Sequence, residues 1–372
     1  QILQTFGLLG GIKMEKRTMQ DYIYEVPKKM RENIDRAEQL VKPLIDYIGD
    51  KEVNKITLVA SGSSYNACHC AQPFMEKYLG IDVKIVAPFT FANYGYEVED
   101  DNLVLVITQS GLSTNAIEAL KKLDSMNHDT VCLTGNPEND VKDYADLVVD
   151  YGVGEELVGY VTKGVTTLCL FLMLFTCIYA NKPELIESIN ETVELNHRMI
   201  GKAETFIKKH YKHFSSMTQC YFCASYANYG TALEGALKIG ETIHIPTGTY
   251  ETEEYIHGPN LQLTPLYNMI IFDNNDHTSV RNRQIYEGTR KVTDHCFMVS
   301  GNSTYADDEH VLFLEGDLKS ELLPLIYLPF VQLLSYIIST DLKAIFQHPL
   351  MKEFKKIADA KTANFVNYDG DD

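Results

Sequence analysis

The sequence predicts an α/β protein made of two tandem doubly wound parallel-sheet units with connecting helices. Three observations carry that expectation. Short β-branched runs alternate with helical stretches from about residue 55, and the alternation starts afresh near residue 220. The first-half strands also end in loops of glycine, serine and threonine that lead directly into helices. The 372 residues divide accordingly into a leader and helical segment (1–50), a first unit with its connector helix (51–205) and a second unit with a C-terminal tail (206–372).

Tyr22, Val26, Met30, Ile34, Ala37, Leu40, Leu44 and Ile48 recur at helical spacing, with Pro27 and Pro43 expected to break the run. Lys55–Ala60 reads as a buried strand, residues 61–65 as its loop, and a helix follows to about residue 79. Strands are expected over 83–87, 103–108, 130–134 and 147–150, with a helix over 115–126 and a long apolar helix over 165–180. A helical connector spans 184–209. The second half then repeats the scheme: a strand over 220–224, a small-residue loop over 225–229, a helix over 230–243, and strands over 268–272, 296–300 and 311–314. A second apolar helix closes it over 322–339. Gly-Asn pairs at 135–136 and 301–302 follow equivalent strands, as expected for an internal duplication.

Hydrophobic residues make up 45% of the chain, enough for a sizeable core. The formal charge of −18 argues against nucleic acid or an anionic membrane as a partner. Eight cysteines, mostly inside apolar runs, fit a reduced, cytoplasmic protein. Neither Cys68-His69-Cys70 nor the Cys220/Cys223 pair has the four convergent ligands of structural zinc, so neither a metal nor a cofactor is expected. The apolar stretches read as buried helices, the first being short for a membrane span and the second carrying Pro324, Pro329 and Gln332. Residues 1–12 lack a basic flank and read as a cloning remnant or a misassigned start before Met14 or Met19, not as a signal peptide.

Ligands of doubly wound sheets sit beyond the carboxyl ends of the strands, where the strand order reverses. The loops expected there, Ser61-Gly62-Ser63-Ser64 and Thr108-Gln109-Ser110-Gly111-Leu112-Ser113-Thr114, offer hydroxyls and helix N-termini without an adjacent lysine. That chemistry suits a sugar phosphate; neither loop is a GxxxxGK[ST] or GxGxxG motif, which disfavours ATP and NAD. The second copy's loops, 225–229 and 273–276, are acidic or bulky and make poor phosphate cradles. Catalytic groups fall to the helix that follows, where Glu234, Lys238 and Glu241 share one face, and to His257 beyond it. A carboxylate and an imidazole together fit proton transfer at a carbon next to a carbonyl. The competing reading of this face is a solvated helix with an ordinary surface histidine.

The segments SGSSYNA (61–67), TQSGLSTNAIEAL (108–120), VTKGVTT (161–167), ALEGALKIGE (232–241), EYIHGP (254–259) and LPFVQLLSYI (328–337) together resemble the SIS (sugar isomerase) family. The resemblance is to the isomerase half of glutamine–fructose-6-phosphate aminotransferase and its stand-alone relatives near the fructosamine-6-phosphate deglycases. It implies that Ser63, Ser64, Thr108, Gln109, Ser110 and Ser113 hold the 6-phosphate of a sugar. It further implies that Glu241 shuttles a proton between C1 and C2, that His257 assists ring opening from the partner subunit of a homodimer, and that Lys238, Glu234 and Lys361 line the same site. Thr108, Leu112 and Gly240 depart from the family's usual Ser, Glu and Lys, and residues 368–372 depart from the aminotransferase tail.

No cysteine near the start could act as a glutaminase nucleophile, so glutamine-dependent amino transfer is not expected. The expected activity is deglycation of a fructosamine 6-phosphate to an aldose 6-phosphate and an amine. The alternatives are an aldose–ketose isomerase or glucosamine-6-phosphate deaminase using the same residues, and a non-catalytic phosphosugar-binding protein. The last is disfavoured because no helix-turn-helix or basic segment accompanies the chain.

Overall fold

Apolar stripes at helical spacing build α1 (Met19–Asp35) and α2 (Ala37–Ile48). Thr18 opens α1 with a capping box, exchanging hydrogen bonds with Asp21. Pro27 and Pro43 do not break the run: both lie inside these helices, and the chain bends at Arg36 instead. Each proline removes one backbone bond, but the buried stripes of Tyr22, Ile23, Val26 and Met30 and of Leu40, Val41 and Leu44 hold the helices by packing. The structure, a computed structural model, describes residues 16–94, 98–316, 319–344 and 347–366; the leader segment 1–12 and the final stretch 368–372 lie outside these.

The first unit comprises β1 (Lys55–Ala60), α3 (Gly62–Leu79), β2 (Asp82–Val86), α4 (Pro88–Asn93), β3 (Asn102–Thr108), α5 (Thr114–Ser125), β4 (Val131–Thr134) and β5 (Leu147–Asp150). Then come α6 (Lys163–Tyr179), the connector α7 (Glu184–Lys209) and the short α8 (Tyr211–Ser215). The second unit comprises β6 (Cys220–Ala224), α9 (Asn228–Ile243), β7 (Thr247–Glu251), β8 (Met269–Phe272), α10 (Ser279–Arg290), β9 (Cys296–Ser300) and β10 (Val311–Phe313). It is followed by α11 (Leu323–Asp341) and α12 (Met351–Ile357).

The sheets run β2-β1-β3-β4-β5 and β7-β6-β8-β9-β10, all pairs parallel. Counted within each unit, the order is the same, which is the duplication read from the sequence. β7 and α10 were not expected from the sequence. The TGTYE strand is polar and half-buried along its whole length at a sheet edge, and α10 is largely polar. The expected loop over 225–229 is shorter than read: α9 begins at Asn228, whose buried amide donates to Asn274 Oδ1 at 3.0 Å.

The two apolar helices pack inside, as expected. α6 is buried over almost its whole length. Among the described residues only 320–341, which include α11, are long and apolar enough to cross a membrane, and 89% of that window is buried. The units meet where α3 crosses α9. Gly230 permits the approach, because a Cβ there would stand 2.6 Å from Cys70 Sγ and 2.7 Å from the Asn66 carbonyl oxygen.

Candidate functional site

β1 and β3 lie side by side, with β2 beyond the one and β4 beyond the other, so the strand order reverses between them. Their following loops therefore face one crevice, as the sequence reading requires. Gly62 (φ 58°) and Gly111 (φ 66°) take left-handed backbone at the turns into α3 and α5, where side-chain-bearing residues are strained. Asn115 ties the two loops together by donating to Ser61 Oγ at 2.9 Å. Within the second loop Thr108 Oγ1 donates to Ser113 Oγ at 3.1 Å.

The C-terminal tail completes this end of the crevice. Lys361 Nζ donates to Ser110 Oγ and Ser113 Oγ, both at 3.2 Å. Its backbone is held in place on either side, with Thr114 N donating to the Ala360 carbonyl at 3.1 Å and Thr362 N to that of Leu112 at 2.9 Å. Burial holds the Lys361 amine below its usual range, only partly opposed by Asp359. An ammonium above two hydroxyls at a helix N-terminus is a cradle for an oxyanion, and it supplies local positive charge in a strongly acidic chain.

Gln109 does not join this cluster. Its side chain packs on Gly164 and donates through Nε2 to Glu156 Oε1 at 3.3 Å, while its own Oε1 is buried without a partner. Glu156 also accepts from the backbone N–H groups of Thr162 (2.7 Å) and Gly164 (2.9 Å) at the N-terminus of α6. Burial raises the Glu156 carboxyl above its usual range despite these bonds. Ser64 sits buried in the first turn of α3.

The second unit sends α9 to the same crevice. Glu234 and Lys238 are fully buried, so the solvated-helix reading of that face fails. Ser63 Oγ donates to Glu234 Oε1 at 3.1 Å, and Asn66 Nδ2 donates to Glu234 Oε2 at 2.8 Å. Lys238 Nζ lies 3.3 Å from Glu234 Oε1, donates to Ser63 Oγ at 3.1 Å and pairs closely with Glu241 Oε1. Burial disfavours the Lys238 ammonium, but Glu234 and Glu241 outweigh it and raise its pKa, so it stays charged. The Glu241 side chain keeps 30% of its surface exposed. One carboxylate is thus locked inside, and the other is steered by the same lysine toward the opening.

His257 lies outside this buried cluster, exposed at the end of the turn Glu254–Ile256 and electrostatically beside Glu253. The equivalent loop of the second sheet binds itself: Asp273, fully buried, accepts from Ser279 Oγ and Ser300 Oγ at 2.7 Å each and from Asn282 Nδ2 at 3.1 Å.

Residues 51–177 match the family model described as SIS domain. The first unit is thus similar to a SIS domain. The chain is 25% identical over 324 residues to the glutamine–fructose-6-phosphate aminotransferase (isomerizing) of Methanothermobacter thermautotrophicus, covering 86% of this chain and 54% of that protein. It is 26% identical over 264 residues to that of Francisella tularensis, covering 66% of this chain and 42% of that protein. It therefore spans about half the length of the curated relatives it matches. In fold it is similar to the C-terminal domain of glucosamine-fructose-6-phosphate aminotransferase from Francisella tularensis, with a TM-score of 0.76 and 22% identity over 91% of this chain and 100% of that one.

Three residues of the crevice went unread in the sequence: Asn66, Asn115 and Glu156. Asn66 lies three residues after Ser63 and so on the same face of α3, a signal that could have found it. Glu156 gives none, being an acidic residue in an irregular segment.

Proposed function

We propose that this chain processes a sugar 6-phosphate by proton transfer between C1 and C2, that its substrate class is the fructosamine 6-phosphates, and that Glu241 is the base. The observation that carries this reading is the Glu241 carboxylate, paired with buried Lys238 and with 30% of its side-chain surface exposed, in a crevice that also offers Lys361 above Ser110 and Ser113. The phosphate would sit on the amine and the serine hydroxyls, with the helix N-termini of α3 and α5 behind it.

Glu241 then takes a proton from C1 of the open-chain ketosamine, and the C2 carbonyl oxygen gains a proton to give the enolamine. Return of the proton to C2 shifts the double bond to C1–N. Water adds to that imine, the C1–N bond breaks, and the amine leaves as an aldose 6-phosphate forms. The ammonium of Lys238 keeps its carboxylate neighbour ionised and oriented between turns of the cycle. A second copy of the chain would bring His257 to the sugar ring for its opening.

Water is the nucleophile in this proposed step, and the eight cysteines of this chain, all buried and free, take no part in it. Burial pushes their thiols up wherever a shift is resolved, Cys132, Cys177 and Cys223 to about 12, as in unreactive core cysteines. The same reduced thiols suit a cytoplasmic setting.

The test is release of aldose 6-phosphate from a panel of fructosamine 6-phosphates with different amines, with glucosamine 6-phosphate and the plain ketose 6-phosphate alongside. Release from a fructosamine substrate is expected. Turnover of the plain ketose alone would make the protein an aldose–ketose isomerase, turnover of glucosamine 6-phosphate alone a deaminase, and binding without turnover a phosphosugar-binding protein.

A further inference from the structure

The far side of the second unit carries a group of histidines that the reaction does not use. His210 ends α7, His213 lies in α8, and His310 immediately precedes β10. Each offers one ring nitrogen, and the three nitrogens lie within 4.8 Å of one another. His295, at the start of β9, stands beside them, its ring centroid 4.7 Å from that of His213. These positions mark the amino ends of β9 and β10, whereas the phosphosugar crevice lies at the carboxyl ends of β1 and β3.

Two observations point to a ligand. The Nδ1 atoms of His213 and His295 are buried without any hydrogen-bond partner, which is costly for a neutral imidazole unless something else uses the lone pair or the proton. His210 Nε2 contacts the Glu309 carbonyl at 2.7 Å, and because a carbonyl only accepts, that nitrogen carries the proton. The lone pair of His210 is therefore on Nδ1, and the outer bond to a carbonyl is the kind that orients metal-ligating histidines. Phe206, Phe214 and Phe297 wall the rings. A groove lined by Thr205, Lys209, Asp308 and Glu309 lies beside the same junction, two of its lining residues being the chain neighbours of His210 and His310.

We propose that His210, His213 and His310, with His295 as the available fourth ligand, form a site for a divalent transition-metal ion of the zinc type. Neutral imidazoles suit zinc, copper and nickel, and disfavour magnesium and calcium, which seek oxygen. Tetrahedral zinc with Zn–N bonds of about 2.1 Å needs nitrogens about 3.4 Å apart, so the rings close on the ion by about an ångström. The ion ties the end of the connector helix to the edge of the second sheet and acts as a structural clamp remote from the chemistry.

The test titrates the metal-stripped full chain with Zn²⁺ by calorimetry and with Co²⁺ by visible absorption, and follows Tm with and without Zn²⁺. One equivalent per chain, tetrahedral cobalt bands and a rise of several degrees in Tm are expected. His310→Gln and His213→Gln should each abolish all three, while His277→Gln, on the exposed α10 approach, should change none. Should His310→Gln fail to fold, the half-exposed His213 supplies the decisive variant. Absence of a saturable equivalent, or an equivalent retained in the His213 variant, would overturn the proposal and leave a packed aromatic junction.

Discussion

Replacing Gly230 by alanine tests how the two units are brought together. The new Cβ would stand 2.6 Å from Cys70 Sγ and 2.7 Å from the Asn66 carbonyl oxygen, and closer still to the Cys70 backbone nitrogen, where ordinary contact begins at 3.4 Å. Two of those three atoms are backbone, so α3 and α9 must part by close to an ångström. Overpacking of this kind costs about 1–3 kcal/mol. The better helix propensity of alanine returns about 1 kcal/mol. With rigid backbone opposing, the cost falls at the upper end, and the net loss is about 2 kcal/mol.

Gly201 in α7 is the control, since a Cβ there meets nothing within 4 Å. Gly201→Ala should stabilise by about 0.5–1 kcal/mol, the same substitution with the opposite sign. Urea unfolding of the three proteins, compared at equal m-value, reads both changes. The shifted α3 also carries Ser63 and Asn66 away from Glu234, and a displacement on that scale costs about a hundredfold in rate. A Gly230→Ala protein as stable and as active as its parent would refute the reasoning.

The remaining predictions concern charge. Lys238→Met leaves the buried Glu234 carboxylate without its cation and should cost about 3–5 kcal/mol in urea unfolding, most of it recovered in the double variant with Glu234→Gln; a double variant no better than the single would show that the pair is not coupled. Lys361→Met should weaken sugar-phosphate binding about tenfold to a hundredfold, the worth of about 1.5–3 kcal/mol for charged hydrogen bonds, while proton exchange at saturating substrate persists. Unchanged affinity would remove the tail from the phosphate site. Glu321 links the units by accepting from Lys77 Nζ at 2.6 Å and Tyr78 Oη at 2.8 Å. Burial pushes its carboxyl up, but Lys77 and Tyr78 outweigh burial and leave the pKa lowered. The stabilisation is therefore fully present above the ordinary carboxylate pKa near 4.5 and is lost as pH falls through the lower folded value. Glu321→Gln should flatten the acid limb of a Tm–pH profile, and an unaltered limb would count against the linkage.

Most of the fold was legible because its strands and apolar helices are unambiguous. Lys55–Ala60 and Cys220–Ala224 are short runs of core residues closed by small-residue loops, and the repeat between halves fixed the connection scheme. What escaped was set by tertiary context. The strand Thr247–Glu251 has no alternation to betray it, and Pro27 and Pro43 sit in helices that packing carries past them.

The site divides the same way. The shared face of Glu234, Lys238 and Glu241 follows from spacing, but that this face is buried depends on Ser63 and Asn66, about 170 residues earlier in the chain. Gln109 belongs to a serine-rich loop, yet Glu156 and the N-terminus of α6 draw its amide aside. The histidine group is likewise assembled from three stretches of chain, 210–213, 295 and 310, that only the fold brings together.

The most direct test of the account is exchange of solvent deuterium into C1 and C2 of a bound sugar 6-phosphate, comparing the parent protein with Glu241→Gln. It reads the proton transfer itself, whichever amine the substrate carries. The account predicts label at C1 or C2 with the parent and none with the variant, while calorimetry finds sugar-phosphate affinity within about threefold in both. Equal label with the variant would remove Glu241 from the chemistry, and loss of binding together with label would make it a structural residue.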